Sequence, residues 1–189
     1  MEIITQSGFA EQTITKSRFI AFATNCNDER AVSAALRAFA EPHASAHHLA
    51  YGFRLKTPDG ILQRFSDAGE PSGTAGMPIL KLIEGRDLVN ITVAVIRYYG
   101  GVNLGTGGLA RAYGGTAKLA LDSAKFAPFV EMTQIKLVVA YNRFDELVRD
   151  LAKINGEVVD KNFANQITVI ANLPLDKAAD FALKFPNFY

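Results

Sequence analysis

The sequence predicts an α+β protein in two parts. Hydrophobic spacing switches repeatedly between the alternation of strands and the three-to-four-residue recurrence of helices. Of the 15 glycines, all but Gly156 precede residue 127. The tail then reads as a regular series of strands and helices with its own apolar faces. Domain boundaries are placed at 1–127 and 129–189, because Lys125-Phe126-Ala127-Pro128 forms a seam and proline stops the helical pattern before it.

Residues 3–5, 12–15 and 19–24 read as short strands, with Ser7-Gly8 and Lys16-Ser17 as turns. Asn27 or Asp28 caps a helix reaching Glu41. In that helix Val32, Ala35, Leu36 and Phe39 recur at helical spacing, and Pro42 follows its end. Strands at 49–55 and 61–65 flank Pro58-Asp59-Gly60, where proline presets one backbone angle and glycine permits the reversal. A short helix covers 75–84, starting at Ser72 or Thr74. The β-branched run Ile91-Thr92-Val93-Ala94-Val95-Ile96 is a strand buried on both faces. After a glycine loop, Leu109, Ala112, Tyr113, Ala117, Ala120 and Leu121 form one packed helical face. The tail gives strand 134–141, helix 144–154, strands 156–162 and 166–172, and helix 175–184. That β-α-β-β-α series is the ferredoxin-like order without its last strand, stopping at Phe188-Tyr189.

Composition narrows the function classes. The chain of 189 residues is 49% hydrophobic and 21% charged, which suits a globular protein rather than a disordered or fibrous one. A net charge of +1 provides no global field for nucleic acid or membrane, so any such binding needs a local basic patch. Cys26 stands alone, which excludes an internal disulfide or a cysteine-based zinc site and suits a reducing compartment. Its neighbours offer nothing to stabilise a thiolate, so it is expected as a half-buried structural thiol. No signal peptide or membrane span is visible, and the expected location is cytoplasmic.

Three segments carry candidate chemistry. The first runs Arg97-Tyr98-Tyr99-Gly100-Gly101-Val102-Asn103-Leu104-Gly105-Thr106-Gly107-Gly108, then Arg111. A buried strand feeds a glycine loop that opens a helix, which exposes free amide N–H groups at a positive dipole end and suits an anion. Arg97 and Arg111 supply charge, and Tyr98 and Tyr99 offer stacking faces. Neither G-x-x-x-x-G-K-[ST] nor G-x-G-x-x-G is present, so the alternative is that the glycines only permit close packing. Arg97 ends a buried run, where a charge needs an acidic partner or an open surface; Asp67 and Glu70 are the leading partners. The second segment, Ser66-Asp67-Ala68-Gly69-Glu70-Pro71-Ser72-Gly73-Thr74, holds two carboxylates that could do acid–base work. A local turn at Asp67 and a helix start is the plainer reading. The third, His43-Ala44-Ser45-Ala46-His47-His48, has metal-like spacing, but Pro42 and the following strand make it a loop, and no metal is expected.

The two long motifs closely resemble those of the IMPACT/YigZ family. They are Arg97-Tyr98-Tyr99-Gly100-Gly101 continuing through Leu104-Gly105-Thr106-Gly107-Gly108-Leu109 to Ala112-Tyr113, and Ser66-Asp67 with Gly69-Glu70-Pro71, Gly73-Thr74-Ala75-Gly76 and Pro78. Lys16-Ser17-Arg18-Phe19-Ile20 and His47-His48 match as well, so the likeness spans nearly the whole chain. The resemblance implies a first domain with a left-handed β-α-β crossover, as in domain IV of elongation factor G and the galactokinase/homoserine kinase superfamily. It implies a tail similar to domain V of elongation factor G. Eukaryotic members carry an extra N-terminal RWD domain and restrain starvation signalling to translation initiation; that domain is not expected here, and regulation of that kinase is not carried over.

The expected function is a non-enzymatic module that binds RNA or the ribosome and is linked to regulation of translation. The ligand-binding candidates are Arg97, Tyr98, Tyr99, Gly100, Gly101, Gly105, Gly107, Gly108, Arg111, His47, Asp67 and Glu70. No catalytic residue, cofactor or membrane partner is assigned. A module that docks a regulatory protein without nucleic acid is the second reading. An enzyme using His47, Asp67, Glu70 and Arg97 on a phosphorylated small molecule ranks third, because only fold analogy supports it.

Overall fold

The computed structural model describes residues 1–186, so the expected end of the tail at Phe188-Tyr189 lies outside the described residues. Strand β6 (Ile91–Tyr98) is the axis of the first part, and seven of its eight residues are buried. Around it stand β2 (Gly8–Ile14), β3 (Ser17–Asn25), β4 (His48–Thr57) and β5 (Gly60–Ser66), in the order β2-β3-β6-β4-β5. Every neighbouring pair is antiparallel. Strands β3 and β4 therefore run parallel to each other with β6 between them, joined by helix α1 (Glu29–Ala40).

Alternation along β6 supplies both faces of the sheet. Ile91, Val93 and Val95 join Phe19, Ala21 and Ala23 of β3 against helices α2 (Gly76–Gly85) and α3 (Gly105–Ser123). Ala94 and Ile96 face the other way, with Ile20, towards Phe39 of α1. Helix α1 begins at Asp28, whose carboxylate accepts from the Ala31 amide at 2.7 Å. Cys26 is fully buried beside Val32, Phe53 and Leu55, and burial pushes its thiol pKa up.

Two elements differ from the sequence reading, each through a partner distant in the chain. Gly8 is not in a turn but opens β2, where a Cβ would stand 1.9 Å from the Ala120 carbonyl oxygen of α3. The seam at Lys125-Phe126-Ala127-Pro128 is itself a strand, β7 (Lys125–Pro128), paired antiparallel with β1 (Glu2–Gln6). Pro128 closes this two-stranded ribbon opposite Glu2, an end position where a missing N–H is tolerated.

The chain divides into two compact units, Met1–Phe129 and Val130–Tyr189. The second contains β8 (Met132–Val139), α4 (Tyr141–Lys153), β9 (Glu157–Phe163), β10 (Ile167–Pro174) and α5 (Leu175–Lys184). Its sheet runs β8-β10-β9 with both pairings antiparallel, so β10 is inserted between the two strands that α4 connects. Leu137, Leu147, Leu151, Val169 and Phe181 fill the space between sheet and helices. Leu147 is completely buried, and truncation there leaves a cavity among these side chains. Leu147→Ala is expected to cost about 2–5 kcal/mol in urea unfolding. An unchanged midpoint would place Leu147 outside the core.

Candidate functional site

Asp67 organises the acidic loop. One carboxylate oxygen accepts from the amides of Ala75 at 3.0 Å and Gly76 at 2.8 Å, and the other from Gly73 at 2.8 Å. Helix α2 has no side-chain cap of its own at Ala75, so Asp67 caps it from eight residues upstream. Burial alone would raise the Asp67 pKa, but the amides of Gly73, Ala75, Gly76 and Met77 together outweigh it and hold the carboxyl below its usual range. Gly76 fits only as glycine, since a Cβ would meet the Ser66 backbone at 2.5 Å.

Between Asp67 and α2 the chain turns inward. Ala68 and Gly69 both adopt positive φ, +50° and +84°. The turn presents the Ala68 carbonyl to His48 Nδ1 at 2.8 Å. A carbonyl only accepts, so Nδ1 carries the proton there. It also drives Glu70 under the end of the central strand β6, where its side chain is 4% exposed.

Glu70 meets Arg97 in a buried network. Arg97 Nη1 lies 2.7 Å from Glu70 Oε1, and the Arg97 side chain is 5% exposed. The Tyr113 hydroxyl donates to the same oxygen at 2.8 Å, and His48 Nε2 stands 3.8 Å from it. Arg97 Nη2 donates to Ser17 Oγ at 3.3 Å. Register explains the convergence: Arg97 pairs with His48 on one side and Phe19 on the other, so all three share the face covered by α3. Phe19 and Tyr113 meet edge to face at 5.3 Å, and the Arg97 guanidinium lies over the rings of Phe19 and Tyr99. Burial, then the adjacent Glu70 carboxylate, pushes the Tyr113 pKa far up, so the phenol stays a donor. Removing one member of such a pair strands a buried charge and costs about 3–5 kcal/mol.

The glycine loop is laid directly over this network. Ser17 Oγ also accepts from the Gly100 amide at 3.2 Å, and His47 Nδ1 accepts from the Tyr99 amide at 3.2 Å. Gly100 presses on the Lys16 carbonyl, where a Cβ would stand at 2.1 Å. Outside the network Tyr99 is 40% exposed, with its hydroxyl donating to Asn103 at 3.1 Å. Helix α3 then starts at Leu104–Gly105 with no side-chain cap and no acidic residue in its first turn. Its first amides are left for solvent or an anion. Arg111 and Lys16 are exposed and have no ion-pair or hydrogen-bond partner among the described residues.

Helix α3 carries Gly107 and Gly108 in its first turn and Gly114 and Gly115 in its interior, where each of the latter two costs about 1 kcal/mol relative to alanine. At Gly114 and Gly115 a Cβ would make only ordinary contacts, 3.6 Å to Pro78 and 3.8 Å to Gln12. Packing therefore does not demand glycine at those two positions.

The candidate residues thus separate into two layers. Arg97 and Glu70 are buried on each other, and Asp67 is committed to backbone amides, so none of the three presents a free charge. Tyr99, His47, Gly101, Gly105, Gly107 and Arg111 lie exposed, with Gly100 and Gly108 partly covered. Tyr98 points to the opposite face, donating or accepting with His43 Nδ1 at 2.9 Å and lying under Arg18. Three contributors were not singled out as site residues: Ser17, His48 and Tyr113. Tyr113 sits among packed apolar positions of its helix, which hid its hydroxyl's role. All three, Tyr113 included, carry the weaker signal of lying in the segments that resemble the IMPACT/YigZ family. Among the described residues no group of three or more His, Cys, Asp or Glu is placed to hold a metal, and no helix is long and apolar enough to cross a membrane.

The depressed Asp67 pKa makes stability depend on pH with a definite sign. The stabilising contribution is fully present above the unfolded aspartate pKa of about 3.9 and is lost as pH falls through the lower folded value. Asp67→Asn is expected to flatten this acid limb when unfolding midpoints are measured between about pH 2 and 6. An acid limb identical to wild type would show that the amide cradle does not favour the carboxylate.

A family model described as the Impact N-terminal domain matches residues 15–121. IMPACT family member YigZ of Escherichia coli (strain K12) is 33% identical over 178 residues, covering 94% of this chain and 87% of that protein. An IMPACT family member of Haemophilus influenzae is 38% identical over 168 residues, covering 86% and 80% respectively. A crystal structure described as that of an hypothetical protein is similar with a TM-score of 0.74 at 32% identity, covering 97% of this chain and 89% of the other. The chain belongs to the IMPACT family.

Proposed function

We propose that the chain is a non-enzymatic binding module of the cytoplasm that takes RNA, free or in the ribosome, through the surface above the Glu70–Arg97 network, in a role linked to regulation of translation. The observation that carries this reading is the separation of charge. Carboxylates of the motifs are turned inward onto Arg97 and the α2 amides, while Arg111, Lys16 and the uncapped amides of α3 face outward. Such a surface attracts phosphate, and exposed Tyr99 beside it offers a stacking face for an unpaired base. The likeness of the two units to domains IV and V of elongation factor G, with a left-handed crossover in the first, belongs to the same proposal. A role for Glu70 and Arg97 in acid–base chemistry is the weaker reading, because each already satisfies the other.

The test is binding of a fluorescein-labelled single-stranded RNA by wild type and Arg111→Ala at two salt concentrations. Losing a charge-assisted phosphate contact should weaken binding by about 1–3 kcal/mol. It should also reduce the salt slope by about 0.7. Folded Arg111→Ala that binds like wild type with the same slope removes this surface from consideration, and docking of a regulatory protein then becomes the better account.

A further inference from the structure

Beyond the start of α3 a groove of about 420 Å³ runs between α2 and α3. Met77, Pro78 and Leu82 of α2 give it an apolar lining, and Gly73 and Gly114 line it with no side chain. Lys81 projects from its α2 side, exposed and without an ion-pair partner among the described residues. Arg111 belongs to the α3 side, next to Ala110 of the groove, and its guanidinium reaches back to Gly107 at the helix start. Towards the C-terminal ends of both helices, Asp122 of α3 pairs with Arg86 and Lys118 and so ties the two elements together.

Two features of this groove are unexplained by folding. Gly114 weakens its own helix although an alanine would fit. Lys81 on the groove and Arg111 beside its Ala110 stay unpaired among the described residues, while Arg86 and Lys118 are matched to Asp122. A bare helix wall beside an apolar lining admits a flat group edgewise, and unpaired cations on both sides complement a repeating negative charge.

Resting on the RNA reading, we infer that the α2–α3 groove receives an unpaired nucleotide of a single-stranded RNA. Its base lies against Met77 and Pro78, and its flanking phosphates lie towards Arg111 and Lys81. The chain of RNA then passes from the glycine loop into the groove, so the bound segment is longer than the loop alone would hold. Recognition is by apolar contact and charge, with little base identity read.

The experiment uses a fluorescein-labelled 12-nucleotide oligouridylate and anisotropy with the full chain. Gly114→Leu fills the groove, whereas Gly114→Ala adds one methyl at ordinary contact distance from Pro78. Lys81→Glu reverses a rim charge without touching the core. Gly114→Leu and Lys81→Glu are each expected to weaken binding by about tenfold, the scale of one stacked base or more, with Gly114→Ala close to wild type. Thermal melting checks each fold, and Lys81→Glu decides the matter should Gly114→Leu unfold. Wild type that binds while both Lys81→Glu and folded Gly114→Leu bind equally well overturns the groove and leaves the loop site standing. Wild type that binds no oligouridylate overturns the RNA reading and the groove together.

Discussion

The buried pair between Glu70 and Arg97 is the constraint on which the first unit's candidate site depends. A guanidinium at the end of a strand buried on both faces must lose its water, and only a carboxylate with further hydrogen bonds makes that tolerable. Glu70 supplies the carboxylate, Tyr113 adds a second donor to it, and Ser17 receives the other arm of Arg97. Four elements distant in sequence are thereby fixed to one another: the acidic loop, the end of β6, the start of β3 and the middle of α3. The Arg97 Nε remains buried without a partner, a residual cost of holding the group in this place.

The same pair decides what the surface can do. With Glu70 under the loop and half-exposed Asp67 bound to the amides of Gly73, Ala75 and Gly76, the glycine segment above carries amides and cations but no unpaired carboxylate from either motif. Strained backbone follows the same logic. Ala68 at positive φ is costly for a residue with a side chain, yet that turn aims Glu70 inward and the Ala68 carbonyl at His48. Glycines at 100 and 76 are dictated by backbone contact, whereas Gly114 is not. The first two are architecture, and the last is the mark of a surface kept bare.

Much of this was legible in the sequence, for physical reasons. The β-branched run before Arg97 implies a strand buried on both sides, and a charge at its end needs an acidic partner or an open surface; of the two candidate partners, Asp67 and Glu70, it is Glu70 that pairs with it. Helix α1 and its Asp28 cap followed from local spacing. What sequence spacing does not carry is pairing between distant segments. Strand β7 exists because β1 lies beside it, more than 100 residues away in the chain. Local spacing starts α2 at Ser72 or Thr74, whereas its cap is supplied by Asp67. His48 opens β4 directly opposite Arg97 while His47 lies just before the strand, so His48, not His47, is the histidine beside Glu70; the register that settles this is set by β6. The Tyr113 hydroxyl is hidden in an apolar helical face, and only the distant Glu70 gives it a partner.

The Glu70–Arg97 pair holds the glycine loop and the α2 cap as one unit. Native-state amide hydrogen exchange in wild type and Glu70→Gln tests it most directly, reading the Tyr99, Gly100, Gly73 and Gly76 amides against Phe53 in β4. The pair predicts that the first four lose protection together, because Ser17, His47 and Asp67 no longer sit at fixed distances from them, while Phe53 changes only with global stability. Loss of protection spread evenly over all five amides, or confined to none of them, would contradict the claim.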